Sequence, residues 1–460
     1  MHHCRICDSE TQNIFSFGRM PIANGFLEGP SDPEYFYPLS LVLCPRCCMV
    51  QLRSVPAPKL MFGRSYAFIS STSAAMQAHF KTQAEDILKL VKGKKDPFVV
   101  ELGCNDGIML KHLAGKGIRH LGIEPAANVA RQAQKNGVTV LKSFFDPQTA
   151  AKIVRRYGKS DVICASNTLL SVENLNAALE GVKLLLNDNG VFFFEDPYLL
   201  DIVSLGSFDQ IYDEHIYYFS GHSVANLARR HNFELVNMEH QDVHGGSMRY
   251  LLEWQPAPRN RAVSHWLAKE KRKHLSSRTG FRGFTKAIRT TAVSLKRTLK
   301  NLKKRRLQVV GYGATSKSTT LLNYSGIGPE HVEYITDNSP TKIGKFTPGM
   351  HIPVKDRKAF LADNPPYTLL FAWNHKREIF AKESRYRKQG GKFMTYFPKL
   401  KLHGLKGRGI LNINNTKPTT MRAEIRRSGN HRTLKVAIHP RPKRPRFSAK
   451  AELKSSKRSL

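Results

Sequence analysis

The 460-residue sequence predicts an α/β protein with a small N-terminal metal-bearing module, a central Rossmann-like domain, a C-terminal Rossmann-like α/β domain and a basic, disordered tail. Three observations predict it. Two CxxC pairs lie within the first 50 residues. Between them and residue 400, short apolar strands alternate with segments of helical period, the pattern of parallel sheets. A strand, glycine turn and helix succeed one another twice, at ELGCNDG and at VVGYGATSKS. The length and the 41% apolar content allow two or three domains with separate cores.

Residues 1–65 form the first expected module, rich in Cys, Pro and Gly. Each CxxC places two thiolates on one tight turn, and two such turns complete the tetrahedral site that Zn²⁺ favours. Cys4, Cys7, Cys44 and Cys47 are the expected ligands of a structural zinc, with Cys48, His2 and His3 open as substitutes at the fourth position. A closed coordination shell has no role in catalysis.

Residues 66–257 form the second. Met76, Phe80, Ala84, Ile87, Leu88 and Val91 recur at helical spacing, and PFVVELGCNDG then reads as a buried strand entering a glycine turn. HLGIEP, VTVLKSFF, SDVICASN and GVFFFEDP follow as strands, with helices over 126–136 and up to residue 185. The glycines of the turn let backbone approach a ligand at the carboxyl end of a parallel strand. Glu124 ends the next strand, where a carboxylate can take both hydroxyls of a ribose. The third glycine of the dinucleotide fingerprint is missing, which favours S-adenosylmethionine (SAM) over NAD. Glu101, Gly103, Asn105, Gly107, Glu124 and Asn167 are the expected cofactor contacts.

Residues 258–403 form the third, opening with a basic helical linker. RRLQVVGYGATSKSTTLL repeats the strand, turn and helix, and VEYITDNS and YTLLFAWN add strands. The turn lacks the glycine that a phosphate loop needs before its lysine, because Ser316 precedes Lys317, so ATP hydrolysis is not expected. A helix N-terminus with Lys317 remains suited to a diphosphate. In residues 404–460 the periodicity fades into Lys, Arg, Pro and Ser, the composition of a disordered tail.

The formal charge is +37 but unevenly placed. Residues 259–306 hold 17 Lys/Arg against one acid, Glu270, and residues 404–460 hold 16 against two. A solvated helix face and a tail account for both, with polyanion binding the alternative. Neither segment interleaves aromatics at a spacing that would stack bases. No run of 18 apolar residues appears, so no membrane span is expected, and a polar N-terminus and paired cysteines suggest a cytoplasmic protein.

ELGCNDGIML at 101–110, FEDPYL at 194–199, SFDQIYDEH at 207–215, VHGGSMRY at 243–250 and GYGATSKS at 311–318 jointly resemble the zinc-containing NDP-sugar C-methyltransferases, from Cys4 to about Leu400. These enzymes methylate carbon 3 of 4-keto-deoxysugar nucleotides. The resemblance implies a zinc module, a central SAM-dependent methyltransferase domain, a C-terminal C-methyltransferase domain that helps to hold the sugar nucleotide, and SAM as cofactor. It also implies a base, since a carbon beside a ketone must lose its proton before it can attack a sulfonium methyl. His215 matches the residue proposed as base in the family, and its ordinary pKa near 6.5 suits that role. Tyr212 is expected to donate to the enolate oxygen and Glu214 to orient the imidazole or substrate.

By the same resemblance Tyr66, His244, Gly245, Arg249 and Lys317 contact the substrate. Ser171 departs from the histidine that the family commonly carries there, which leaves open the sugar or any second acid/base role at that point. The expected activity is therefore C3 methylation of a 4-keto-deoxysugar nucleotide by a monomer. The expected partners are the sugar nucleotide and no membrane, with nucleic acid reached only through the basic tail. A SAM-dependent methyltransferase of RNA is the alternative, and a non-enzymatic scaffold would have lost Glu124 or His215.

Overall fold

The computed structural model describes residues 2–61, 70–254 and 260–404. Tyr66 and the tail beyond residue 404 lie outside the described residues.

The first sheet is antiparallel. Strands β1 (Gln12–Pro21), β2 (Phe36–Leu43) and β3 (Val50–Leu52) pair in sequence order, with Gln12 opposite Leu43 and Leu41 opposite Leu52. The two cysteine turns stand at one end of this sheet. In each, the residue four after the first cysteine, Asp8 or Cys48, takes a left-handed conformation, and its N–H donates to the carbonyl of that cysteine. The fourth strand of the sheet comes from further along the chain: Tyr217–Tyr218 pairs with β3.

The central sheet contains β4 (Phe98–Leu102), β5 (Arg119–Ile123), β6 (Val140–Leu141), β7 (Ser160–Ser166) and β8 (Leu186–Pro197). After β9 (Tyr217–Tyr218), which belongs to the first sheet, β10 (Glu234–Gln241) and β11 (Ser247–Glu253) complete it. The order is β10-β11-β8-β7-β4-β5-β6, parallel except for β11, which runs antiparallel to both β8 and β10. All five residues of β4 are buried, as a strand covered by helices on both faces requires. Val99 packs with Met76, Phe80 and Ile87 of helix Ala74–Leu90 on one side, while Phe98 and Val100 join Leu175, Leu179 and Val182 on the other. VTVLKSFF yields only the two-residue β6, because this is the sheet edge and Phe144 and Phe145 leave it to line a cleft.

The third sheet is built of β12 (Val309–Tyr312), β13 (Ile335–Thr336), β14 (Val354–Lys355), β15 (Tyr367–Leu370), β16 (Lys392–Thr395) and β17 (Lys401–His403). Its order is β14-β13-β12-β15-β16-β17, parallel up to the last pair. The basic segment before it forms helices Arg261–Arg272 and Arg282–Lys304. The longer helix buries Phe284, Ile288, Leu295, Leu299 and Leu302 on one stripe and exposes Arg282, Lys286, Arg289, Arg297 and Lys300 on the other.

The N-terminal module also docks on the loop between β13 and β14. Leu27 bridges to Phe346, and the Glu34 carboxylate takes the Gly349 N–H at 2.6 Å and the His351 ring. No helix among the described residues is long and apolar enough to cross a membrane.

Candidate active site

Strand order reverses between β4 and β7, and again between β12 and β15, the places where doubly wound sheets open a crevice at their carboxyl ends. The loops from both sheets line one cleft of about 1050 Å³. That stands at the top of the usual range for ligand pockets, roughly 300–1,000 Å³.

At the β4 end, Gly103, Asn105, Glu124 and Asn167 line the cleft. Gly103 has φ +70°, and a Cβ there would fall 2.3 Å from Thr168 Oγ1, so only glycine lets the loop after β4 pass the loop after β7. Asn105 and Asn167 are also left-handed, at φ 48° and 54°, a conformation asparagine tolerates. The Glu124 carboxylate is nearly buried and accepts the Asn105 N–H at 3.1 Å and the Ala126 N–H at 2.8 Å, one on each oxygen. A carboxylate oxygen has a second lone pair, so both remain able to accept a ribose hydroxyl. These residues fit the nucleoside of SAM. Glu101 and Gly107 do not line the cleft. Glu101 lies buried behind it, its carboxyl pushed up to about 8 by burial and then by Asp106 and Glu124.

At the other end, Tyr212, Glu214 and His215 all line the cleft. His215 Nδ1 stands 2.9 Å from the Gln210 carbonyl, which can only accept, so this nitrogen carries the proton. Nε2 is then an acceptor, and the Tyr212 hydroxyl donates to it at 2.6 Å. Burial, followed by the Lys317 ammonium, holds the imidazole down to about 3, so it is neutral at physiological pH. The Tyr212 proton is thus committed to His215 and is not free for an enolate oxygen. Glu214 accepts from the Asn24 side-chain amide, and its neighbour Asp213 accepts the Ala23 N–H at 2.9 Å, so the zinc module supplies part of this wall.

The loop 243–246 and the C-terminal domain close the cleft. His244 lines it and is held well below its ordinary pKa by burial and by Lys317. Gly245 does not line it: at φ +90° a Cβ would meet the Trp373 ring at 2.4 Å, so this glycine lets the loop pack on the indole. Arg249 is also elsewhere. It is spent on Glu195, at 3.0 and 3.2 Å, and on Asp86 at 3.2 Å, and so ties β11 to β8 and to helix Ala74–Leu90. Lys317 lines the cleft with Ser171, Asn374 and His375.

Sequence reasoning missed Asn24, Gln210, Lys342 and His375, all lining residues. His375 had a signal, since WNH follows the β15 strand after two intervening residues, at the carboxyl edge of a parallel sheet. Asn24 had none. No lining residue lies between 260 and 306, so the basic helices stand apart from the cleft.

The four thiols Cys4, Cys7, Cys44 and Cys47 lie within 4.8 Å of one another, with Cys4 to Cys47 at 3.5 Å and Cys7 to Cys44 at 3.4 Å. Four sulfurs each about 2.3 Å from a zinc ion would be roughly 3.8 Å apart, so the set fits a structural Zn²⁺. The Ile6 and Cys47 N–H groups donate to the Cys4 and Cys44 sulfurs, the support thiolates need. Cys48, His2 and His3 lie outside the cluster, which removes them as substitute ligands.

Three family models match the chain in order. Residues 4–62 match "Putative zinc binding domain", 76–238 "Methyltransferase domain" and 242–398 "C-methyltransferase C-terminal domain". The chain is 29% identical over 402 residues to the C-methyltransferase NovU of Streptomyces niveus, covering 86% of this chain and 95% of that one. Among solved structures it is similar to magnesium protoporphyrin IX methyltransferase of Synechocystis PCC 6803, at 14% identity and TM-score 0.29, over 39% of this chain and 80% of that one. The CcbJ methyltransferase of Streptomyces caelestis shows 14% identity and TM-score 0.32, over 42% and 97%.

Proposed function

Because the chain belongs to the zinc-containing, SAM-dependent C-methyltransferase family, we propose that it methylates carbon 3 of a 4-keto-deoxysugar nucleotide through an enolate. A carbon acceptor, unlike an oxygen or nitrogen, has no lone pair to offer and must be deprotonated first. The observation that carries the reading is the neutral His215–Tyr212 pair, facing the same cleft as Glu124.

In this reading Glu124 holds the ribose of SAM, which when bound supplies the methyl group to the carbanion. The C3 proton leaves to the His215–Tyr212 pair. Gln210 keeps Nδ1 protonated, so the accepting nitrogen always faces the phenol. Glu214, oriented by Asn24, positions the pair or a sugar hydroxyl. His244 and His375, both held below their ordinary pKa, offer neutral donors or acceptors to the sugar. The cleft has room for a nucleotide beside SAM.

The test uses purified protein with SAM and TDP-, UDP- and GDP-linked 4-keto-6-deoxyhexoses. Mass spectrometry should find one added methyl group, and NMR should place it on C3. Methylation of RNA in place of all three sugars would favour the polyanion reading, for which the cleft offers no cationic approach from the basic helices.

A further inference from the structure

Lys317 is the second residue of helix Ser316–Ser325, which Thr315 caps by accepting the Ser318 N–H. Lys317 lines the cleft, and its Nζ is buried with no hydrogen-bond partner among the described residues. The ammonium lies 5.2 Å from the centre of the Trp373 ring. The indole N–H of Trp373 donates to Asp209 Oδ2 at 2.7 Å, and the Tyr396 hydroxyl donates to the same oxygen at 2.9 Å. Burial lowers the Lys317 pKa, and the Asp209 carboxylate opposes that shift through space without touching the ammonium.

Burying an ammonium without a partner is costly and favours the neutral amine, so an anion arriving beside Nζ would restore its charge and supply the missing hydrogen bonds. The sugar nucleotide brings two anions, its diphosphate and the enolate oxygen. The surroundings discriminate between them. Lys317 and His215 line the same cleft, so an anion held on Nζ lies beside the base. The enolate oxygen sits on the carbon next to the one that His215 deprotonates, and its charge appears only as the proton reaches the pair. The Tyr212 proton, engaged with Nε2, is not available to it.

We propose that Lys317 is a catalytic residue, the cation against which the enolate oxygen forms, and not a ligand of the nucleotide diphosphate; this rests on the C3 reading above. The balance is simple. The C3–H bond breaks, its proton goes to the His215–Tyr212 pair, and its electrons delocalise onto the 4-keto oxygen beside Nζ. When the C3–CH₃ bond forms, the ketone returns, the sulfonium becomes a neutral thioether, and the proton leaves the pair to solvent. A charge preorganised where negative charge develops acts without reorganising at the moment of reaction.

The experiment measures exchange of the C3 proton in deuterated water, with S-adenosylhomocysteine and saturating TDP-, UDP- or GDP-linked 4-keto-6-deoxyhexose. Lys317→Met keeps the volume of the side chain, and Lys317→Ala leaves a space that methylammonium can enter. SAM affinity checks the fold of each. Exchange should fall by about 10²–10³-fold in both, the usual loss on removing one oxyanion donor. Calorimetric affinity for TDP, UDP or GDP should stay within about threefold, as expected when an interaction is made only in the transition state. Methylammonium should restore part of the exchange in Lys317→Ala. Near-normal exchange with a tenfold or greater loss of nucleotide affinity would make Lys317 a phosphate ligand and overturn the proposal. No exchange in the unmodified enzyme would overturn the C3 reading and this proposal with it, whereas exchange that persists in Lys317→Met defeats the lysine alone.

Discussion

The protonation state of His215 follows from its burial and has a measurable signature. An imidazole depressed from 6.5 to about 3 binds fewer protons than the unfolded chain between those values. It therefore contributes stability that is complete above pH 6.5 and is lost as pH falls toward 3. For turnover the same depression removes the histidine limb from the neutral range, so kcat/KM should show no inflection near 6.5. An inflection there would place the working base on an ordinary solvated histidine. His215→Gln should lower turnover by roughly 10²–10⁴-fold with SAM affinity unchanged. Tyr212→Phe should lose nearly as much if the phenol relays the proton to Nε2, and far less if the imidazole takes it directly. At the cofactor end, Glu124→Ala removes a partly desolvated acceptor whose hydrogen bonds are each worth about 1.5–3 kcal/mol. Calorimetry should record at least a tenfold weaker SAM affinity.

At the scale of elements, the one acid of the basic segment has a structural reason. Glu270, on helix Arg261–Arg272, is buried against the N-terminus of helix Gly221–Arg230. Its carboxylate accepts the Tyr198 hydroxyl at 2.7 Å, the Gly221 and His222 N–H groups at 2.6 and 3.1 Å, and the His222 ring at 2.6 Å. A negative charge there complements the helix dipole and satisfies donors that have no partner within the helix. Glu270→Ala strands those donors and should cost about 3–5 kcal/mol, read as a lowered midpoint in denaturant unfolding. A loss below 1 kcal/mol would show that water replaces the carboxylate. The glycines of VHGGS act at the same scale. Gly245→Ala should cost activity through the displaced Trp373 side chain, although the glycine touches no part of the cleft.

For the whole molecule, the zinc module is a wall of the cleft as well as a staple. It shares a sheet with the central domain through β9, and Ala23 and Asn24 hold Asp213 and Glu214. Structural zinc contributes on the order of 10 kcal/mol to the folding of such modules. Chelation should therefore abolish methyl transfer while the central domain, followed by SAM binding, persists longer. Activity that survives complete loss of zinc would separate the module from the site. The tail is the opposite case. Deleting residues 404–460, which carry 16 Lys/Arg against two acids, should leave turnover intact and weaken retention on heparin.

Much was legible in the sequence because its signals are local. CxxC spacing writes a tetrahedral thiol set into two turns, helical spacing picks the buried face of helix Ala74–Leu90, and a carboxylate at a strand end announces Glu124. Each depends on residues within one or two turns of chain. The tertiary structure alone decided what depends on segments far apart in sequence. It set Arg249 on Glu195 and not in the cleft, gave Gly245 to Trp373, brought Asn24 to Glu214, and buried Lys317 in the cleft of His215 without a hydrogen-bond partner among the described residues. Side-chain identity states which hydrogen bonds and charges are possible, whereas burial and the field of distant neighbours select which are made. The same histidine is a solvated acid near 6.5 in the unfolded chain and a neutral acceptor in this cleft.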